Sequence, residues 1–120
     1  MKVAFTTAGN SLDAELDPRF GRASRFLIVD IETGKSETIE NTQNLNAAQG
    51  AGIQSALKVA ETGVSVVLTG HCGPKAFRVL SEAGIKVFNT NAKTAAEALS
   101  LYKEGKLAAA ENADVEGHWV

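Results

Sequence analysis

The run Val64-Ser65-Val66-Val67-Leu68-Thr69 constrains the fold most, because it is almost entirely apolar and β-branched. A strand of that composition has no face to give to water, so it needs helices on both sides of its sheet. The flanking segments supply them. From about Ala47 to Glu61, Ile53, Ala56, Leu57 and Ala60 fall on helical spacing, and Gly63 fits the stop. After the strand, Pro74 suits a first helical position, Phe77, Val79 and Leu80 provide core contacts, and Gly84 ends the helix. Ile85-Lys86-Val87-Phe88 reads as a short strand. Thr94 followed by Glu97 gives a capping-box pattern for a helix from Ala95 to Lys103, stopped by Gly105.

The N-terminal part is different. Val3-Ala4-Phe5-Thr6 reads as a buried strand ended by Ala8-Gly9-Asn10, and a polar segment from Gly9 to about Ser24 follows. A connection of that length in a small domain is functional or mobile. Arg25 to Ile31, the turn Glu32-Thr33-Gly34-Lys35 and the alternating Ser36 to Asn41 form a hairpin. A hairpin followed by two right-handed crossover units predicts an α/β fold with a five-stranded mixed sheet of order 3-2-1-4-5. Its second strand is the only antiparallel one. The expected organisation is a single ligand-binding domain over residues 1–107 and a weakly patterned, acidic C-terminal tail over 108–120. Open sheets of this kind bind ligands at the carboxyl ends of their strands, where the strand order switches. Here that point lies between strands 1 and 4. The loops around it are Gly9–Ser24, Gly70–Gly73 and Asn41–Gln49, the last with Asn41, Asn44, Asn46 and Gln49.

Composition removes several function classes. Twelve Lys and Arg against 14 Asp and Glu give a net charge of −2, which does not suit a coat for nucleic acid or an anionic membrane. No apolar run approaches the roughly 18 residues that span a bilayer, and the N-terminus has no signal-peptide organisation. One cysteine excludes an internal disulfide, and one cysteine with two histidines cannot close a four-ligand structural zinc site. The expected compartment is the reducing cytoplasm.

The rim carries the chain's scarce soft donors. In Gly70-His71-Cys72-Gly73-Pro74, His71 and Cys72 are adjacent and feed a helix N-terminus, where free N–H groups and the macrodipole favour an anion or a thiolate. The alternative makes Cys72 a small core filler and His71 an ordinary loop residue. Arg19, Arg22 and Arg25 concentrate positive charge that would clamp an anion, or else form a solvated surface with Arg19 and Arg22 paired to Asp13 or Asp17. His118 and Trp119 offer a further ligand and a lid, or a frayed end. His71-Cys72 through Arg78 also resembles the H-C-x5-R loop of cysteine-dependent phosphatases. Against that, Pro74 deletes a donor and Phe77 stands where such loops prefer glycine. Walker, dinucleotide, Gly-x-Ser-x-Gly and His-Glu-x-x-His patterns are absent.

The chain resembles the dinitrogenase iron–molybdenum cofactor biosynthesis family, which includes NifX-like carriers and small stand-alone proteins of anaerobic bacteria and archaea. The resemblance rests on an ordered set: Asp17-Pro18-Arg19-Phe20-Gly21-Arg22-Ala23, Gly50-Ala51-Gly52-Ile53, Val66-Val67-Leu68-Thr69-Gly70, Gly73 to Leu80, Ala83 to Phe88, and Ala113 to Trp119. It implies an RNase H-like three-layer fold without the nuclease carboxylates. It also implies non-catalytic binding of an anionic metal–sulfur cluster, loosely held. That cargo is an iron–molybdenum cofactor precursor, or the molybdenum–copper–sulfide cluster of the stand-alone orange proteins. Transferred by position, the implied site is the rim around His71, with Arg19 and Arg22 as charge partners; the residues themselves add Gly70, Cys72 and Gly73 to that rim, with His71 and Cys72 as candidate metal ligands and His118 as a further one. Cofactor-assembly proteins or a P-loop ATPase are the implied partners, with neither nucleic acid nor membrane involved. The other readings are the phosphatase-like enzyme and a ligand-free adaptor for an ATPase.

Overall fold

A computed structural model describes residues 1–41, 51–107 and 109–110. Strands β1 (Lys2–Thr7), β2 (Arg25–Asp30), β3 (Ser36–Glu40), β4 (Val66–Thr69) and β5 (Lys86–Asn89) form one sheet. The helices are α1 (Ala51–Ala60), α2 (Pro74–Glu82) and α3 (Ala95–Lys103), with a short 3₁₀ turn at Phe20–Arg22. The sheet order is β3-β2-β1-β4-β5. β2 runs antiparallel to β1 and β3, while β1–β4 and β4–β5 are parallel. Both the order and the single antiparallel strand agree with the sequence reading. Boundaries differ only slightly: β4 begins at Val66 rather than Val64, and the part of the first helix expected before Ala51 falls outside the described residues.

Strict alternation explains the three layers. Ala4, Phe26, Ile28 and Val67 face the side covered by α1 and α2, in a core shared with Ala56, Val59, Ala76 and Leu80. Their sequence neighbours Val3, Phe5, Leu27, Val29, Val66 and Leu68 face the other side, packed with Ala95, Ala98 and Leu99 of α3. Each fully buried Leu, Val or Phe contributes about 1.5–3 kcal/mol relative to exposure. A β4 that opens Val66-Val67-Leu68 is therefore expected inside the sheet, where it lies between β1 and β5.

The helix ends are set locally. Gly84 takes φ +80°, which lets its N–H reach Ser81 O at 3.0 Å and the Ile85 N–H reach Leu80 O at 2.9 Å. That is a Schellman stop, with Ile85 and Leu80 both buried beneath it. Thr94 caps α3 by accepting the Glu97 N–H at 3.1 Å. The Glu97 carboxylate accepts from Lys93 N at 3.3 Å rather than from the cap residue itself, one position earlier than a capping box requires.

Candidate functional site

The segment after β1 is tied down by backbone bonds. Leu16 bridges Thr7 and Glu15 bridges Thr94. Leu16 N donates to Lys93 O at 2.9 Å, and Ala96 N donates to Leu12 O at 2.8 Å. The segment thus lies across the end of β1 and the start of α3, with Leu16 and Phe20 buried beneath it. Its clue in the sequence is the spacing Leu12, Leu16, Phe20, one apolar residue in four across a polar stretch.

Asp17 and Pro18 then steer the chain to the switch point. Asp17 Oδ1 accepts the Arg19 N–H at 2.9 Å, an Asx turn. A Cβ placed on Gly70 would lie 2.6 Å from Pro18 O and 2.7 Å from Pro18 Cα, so only glycine permits this approach. Arg19 and His71 then meet as a parallel bridge, and Phe20 N donates to His71 O at 3.0 Å.

The two soft residues separate at this point. His71 is exposed, whereas Cys72 is 1% exposed and belongs to the core that contains Phe20, Phe26 and Ala76. Gly73 caps α2 with its backbone only, Pro74 opens the helix, and no acidic residue occupies the first turn. Arg19 is exposed beside His71. Arg22 closes the 3₁₀ turn, but its side chain is outside the described set. Arg25 is engaged elsewhere, 2.8 Å from Glu40, so the three arginines do not converge as one described cluster. Arg78 lies on the outer face of α2, its side chain 81% exposed and 3.5 Å from Glu82. With Cys72 inside the core and Arg78 outside, the phosphatase-like loop is not assembled.

Asn41 departs from the rim role the sequence suggested. It is fully buried, donating to Ala23 O at 2.8 Å and accepting from Ser55 Oγ at 3.0 Å. It is a structural tie between β3, the 3₁₀ segment and α1. Asn44, Asn46, Gln49, His118 and Trp119 lie outside the described residues.

A cleft of about 700 Å³ opens beside His71. Its lining combines the apolar Leu16, Pro18, Ala92, Leu101 and Leu107 with Gly70, His71, Asn89, Thr90, Asn91, Lys93 and Lys106. None of these lining residues is acidic. Asn89 Nδ2 donates to Gly70 O at 3.1 Å and so couples the end of β5 to the loop after β4. The sequence reading missed Asn89, Thr90, Asn91, Lys93 and Lys106. Asn89-Thr90-Asn91 directly after an apolar strand was the available signal. Among the described residues no group of three or more His, Cys, Asp or Glu gathers as a metal-ligand set. No described helix is long and apolar enough to cross a membrane.

Comparison with known proteins gives a consistent picture. A family model described as dinitrogenase iron-molybdenum cofactor matches residues 1–105. An uncharacterized protein of Methanocaldococcus jannaschii is 39% identical over 110 residues, covering 89% of each chain. The apo form of the orange protein from Desulfovibrio gigas superposes with a TM-score of 0.92 at 38% identity, over 95% of this chain and 96% of that one. A Thermotoga protein of the DUF35 family, solved by NMR, gives a TM-score of 0.79 at 33% identity over 90% and 91%.

Proposed function

The chain belongs to the dinitrogenase iron–molybdenum cofactor family, and from that premise we propose that it is a non-catalytic carrier for an anionic metal–sulfur cluster seated beside His71. The observation that carries this reading is the cleft lining: an imidazole and two ammonium groups together with apolar side chains, and no acidic residue among those described. A sulfide-coated cluster is a bulky, soft polyanion. It needs dispersed positive charge and apolar contact more than a closed cage of ligands. His71 is the direct ligand in this assignment, Lys93 and Lys106 balance charge within the cleft, and Arg19 and Arg22 do so from the neighbouring turn. Gly70 lines the cleft, and Gly73 joins it to the N-terminus of α2. Cys72 lies beneath as part of the core and becomes a ligand only if that core opens.

The cargo class is a molybdenum–copper–sulfide cluster or an iron–molybdenum cofactor precursor, held loosely enough to pass to a cofactor-assembly protein or a partner ATPase. An open cleft with few direct ligands suits capture and release. Mixing the metal-free protein with tetrathiomolybdate and copper(II) is expected to give a stoichiometric charge-transfer absorption. No stoichiometric chromophore, with that mixture or with an iron–molybdenum precursor, rules the reading out.

A further inference from the structure

Two threonines at the switch point occupy positions where valine would fill the same space. Thr6 is the next-to-last residue of β1 and Thr69 ends β4, and both are 0% exposed. A hydroxyl at a fully buried strand position is costly unless each of its hydrogen bonds is made. Here they are made, and their direction is fixed. Thr6 Oγ1 donates its only proton to Asp17 O at 2.7 Å, so the 2.9 Å contact between the two hydroxyls must be donated by Thr69. The result is a directed chain, Thr69 O–H to Thr6 O–H to the Asp17 carbonyl.

Thr6 also holds Asp17 from its other end, because Asp17 N donates to Thr6 O at 2.7 Å. Asp17 in turn fixes the Arg19 N–H, and Phe20 N reaches back to His71 O. His71 follows Thr69 by two residues. The bonds therefore close a ring, from Thr69 through Thr6, Asp17 and the Arg19–Phe20 turn to His71, around the contact of Pro18 with Gly70. We infer that Thr6 and Thr69 are positioning residues that set the Arg19–His71 arrangement, so that cargo affinity depends on buried hydroxyls the cargo never touches. The functional part of this inference rests on the carrier reading; the coupling between the loops does not.

Thr6→Val keeps the shape and removes both hydroxyl bonds, whereas Thr6→Ser keeps the hydroxyl and removes a methyl group. The readouts are hydrogen exchange at the Phe20 amide in metal-free protein and the apparent affinity for tetrathiomolybdate with copper(II). Thr6→Val is expected to accelerate Phe20 exchange by about tenfold or more while the β1 and β4 amides stay protected. It should also weaken chromophore formation by about tenfold. Thr6→Ser is expected to stay within about threefold of the parent in both. The inference is overturned if Thr6→Val leaves Phe20 exchange unchanged, or if Thr6→Ser behaves like Thr6→Val. If the parent protein forms no chromophore the carrier reading fails, and the exchange comparison alone decides the coupling.

Discussion

Arg19 and His71, 52 positions apart in the chain, lie side by side as a parallel bridge closed by the 3.0 Å bond from Phe20 N to His71 O. That bridge joins a cationic turn to an imidazole at the point where the sheet order reverses. It exists only because Pro18 can rest against a residue without a side chain.

Gly70→Ala tests that contact. The new methyl group would meet the Pro18 backbone at 2.6–2.7 Å, and backbone cannot swing aside as a flexible side chain does. Overpacking of this kind costs about 1–3 kcal/mol. Urea unfolding should show that loss, together with faster exchange at the Phe20 amide. Gly52→Ala is the control, since its Cβ would only touch Ala76 Cβ at 3.4 Å. A helical alanine there is expected to change stability by no more than about 1 kcal/mol.

Asn41→Ala should be destabilising without altering the cleft. It removes a buried amide and leaves Ala23 O and Ser55 Oγ without the partners they now have. An orphaned buried polar group costs about 1–3 kcal/mol. Chemical denaturation measures the loss, and the tetrathiomolybdate–copper chromophore of the folded variant should be that of the parent. A lost chromophore in folded Asn41→Ala would show that Asn41 belongs to the site.

Cys72 is expected to behave as a core residue. Iodoacetamide should label it orders of magnitude more slowly in the native protein than in denaturant. Cys72→Ala is expected to cost roughly 1 kcal/mol and to retain the tetrathiomolybdate–copper chromophore. His71→Ala and the Lys93→Ala/Lys106→Ala pair should each weaken it. Loss of the chromophore in a folded Cys72→Ala variant would make the thiol a ligand and require an opened core.

Asp30 gives the acid limb of stability a predictable sign. Its Oδ1 accepts the Glu32 N–H at 2.9 Å and lies 3.8 Å from the N-terminal ammonium. The Glu32 hydrogen bond, opposed by desolvation and aided by the ammonium, holds its pKa below the ordinary 3.8. A carboxyl whose folded value is depressed contributes its stability above the unfolded value and loses it as pH falls through the folded one. Urea midpoints of the parent and Asp30→Asn should therefore differ at neutral pH and converge in acid. A difference constant across the range would contradict this.

The sheet was legible because β-branched runs and helical spacing encode burial directly. Val66-Val67-Leu68 could only be a covered strand, and the alternation of Phe26, Leu27, Ile28 and Val29 between two cores follows from the period of a strand. The rim was less legible, for a related reason. Neighbours in an extended loop point opposite ways, so adjacency of His71 and Cys72 in sequence put one outside and one inside. Lys93 and Lys106 flank α3 at its two ends, and the helix reaches the cleft through its packing on the sheet and through backbone bonds that Leu12 and Ala14 accept and Leu16 donates at its start. Bonds of that range leave no periodic trace in the chain. Asn41 misled because a polar loop-edge residue and a buried tie look alike until Ser55 is placed.

Carriage of a metal–sulfur cluster beside His71 is tested most directly by elemental and sulfide analysis of the protein purified without oxygen from its native host, alongside a His71→Ala/Lys93→Ala variant made there. Molybdenum with acid-labile sulfide and visible absorption is expected in the parent, and a clear loss of all three in the variant. Colourless parent protein without molybdenum, iron or sulfide, or a variant that retains the full complement, would contradict it.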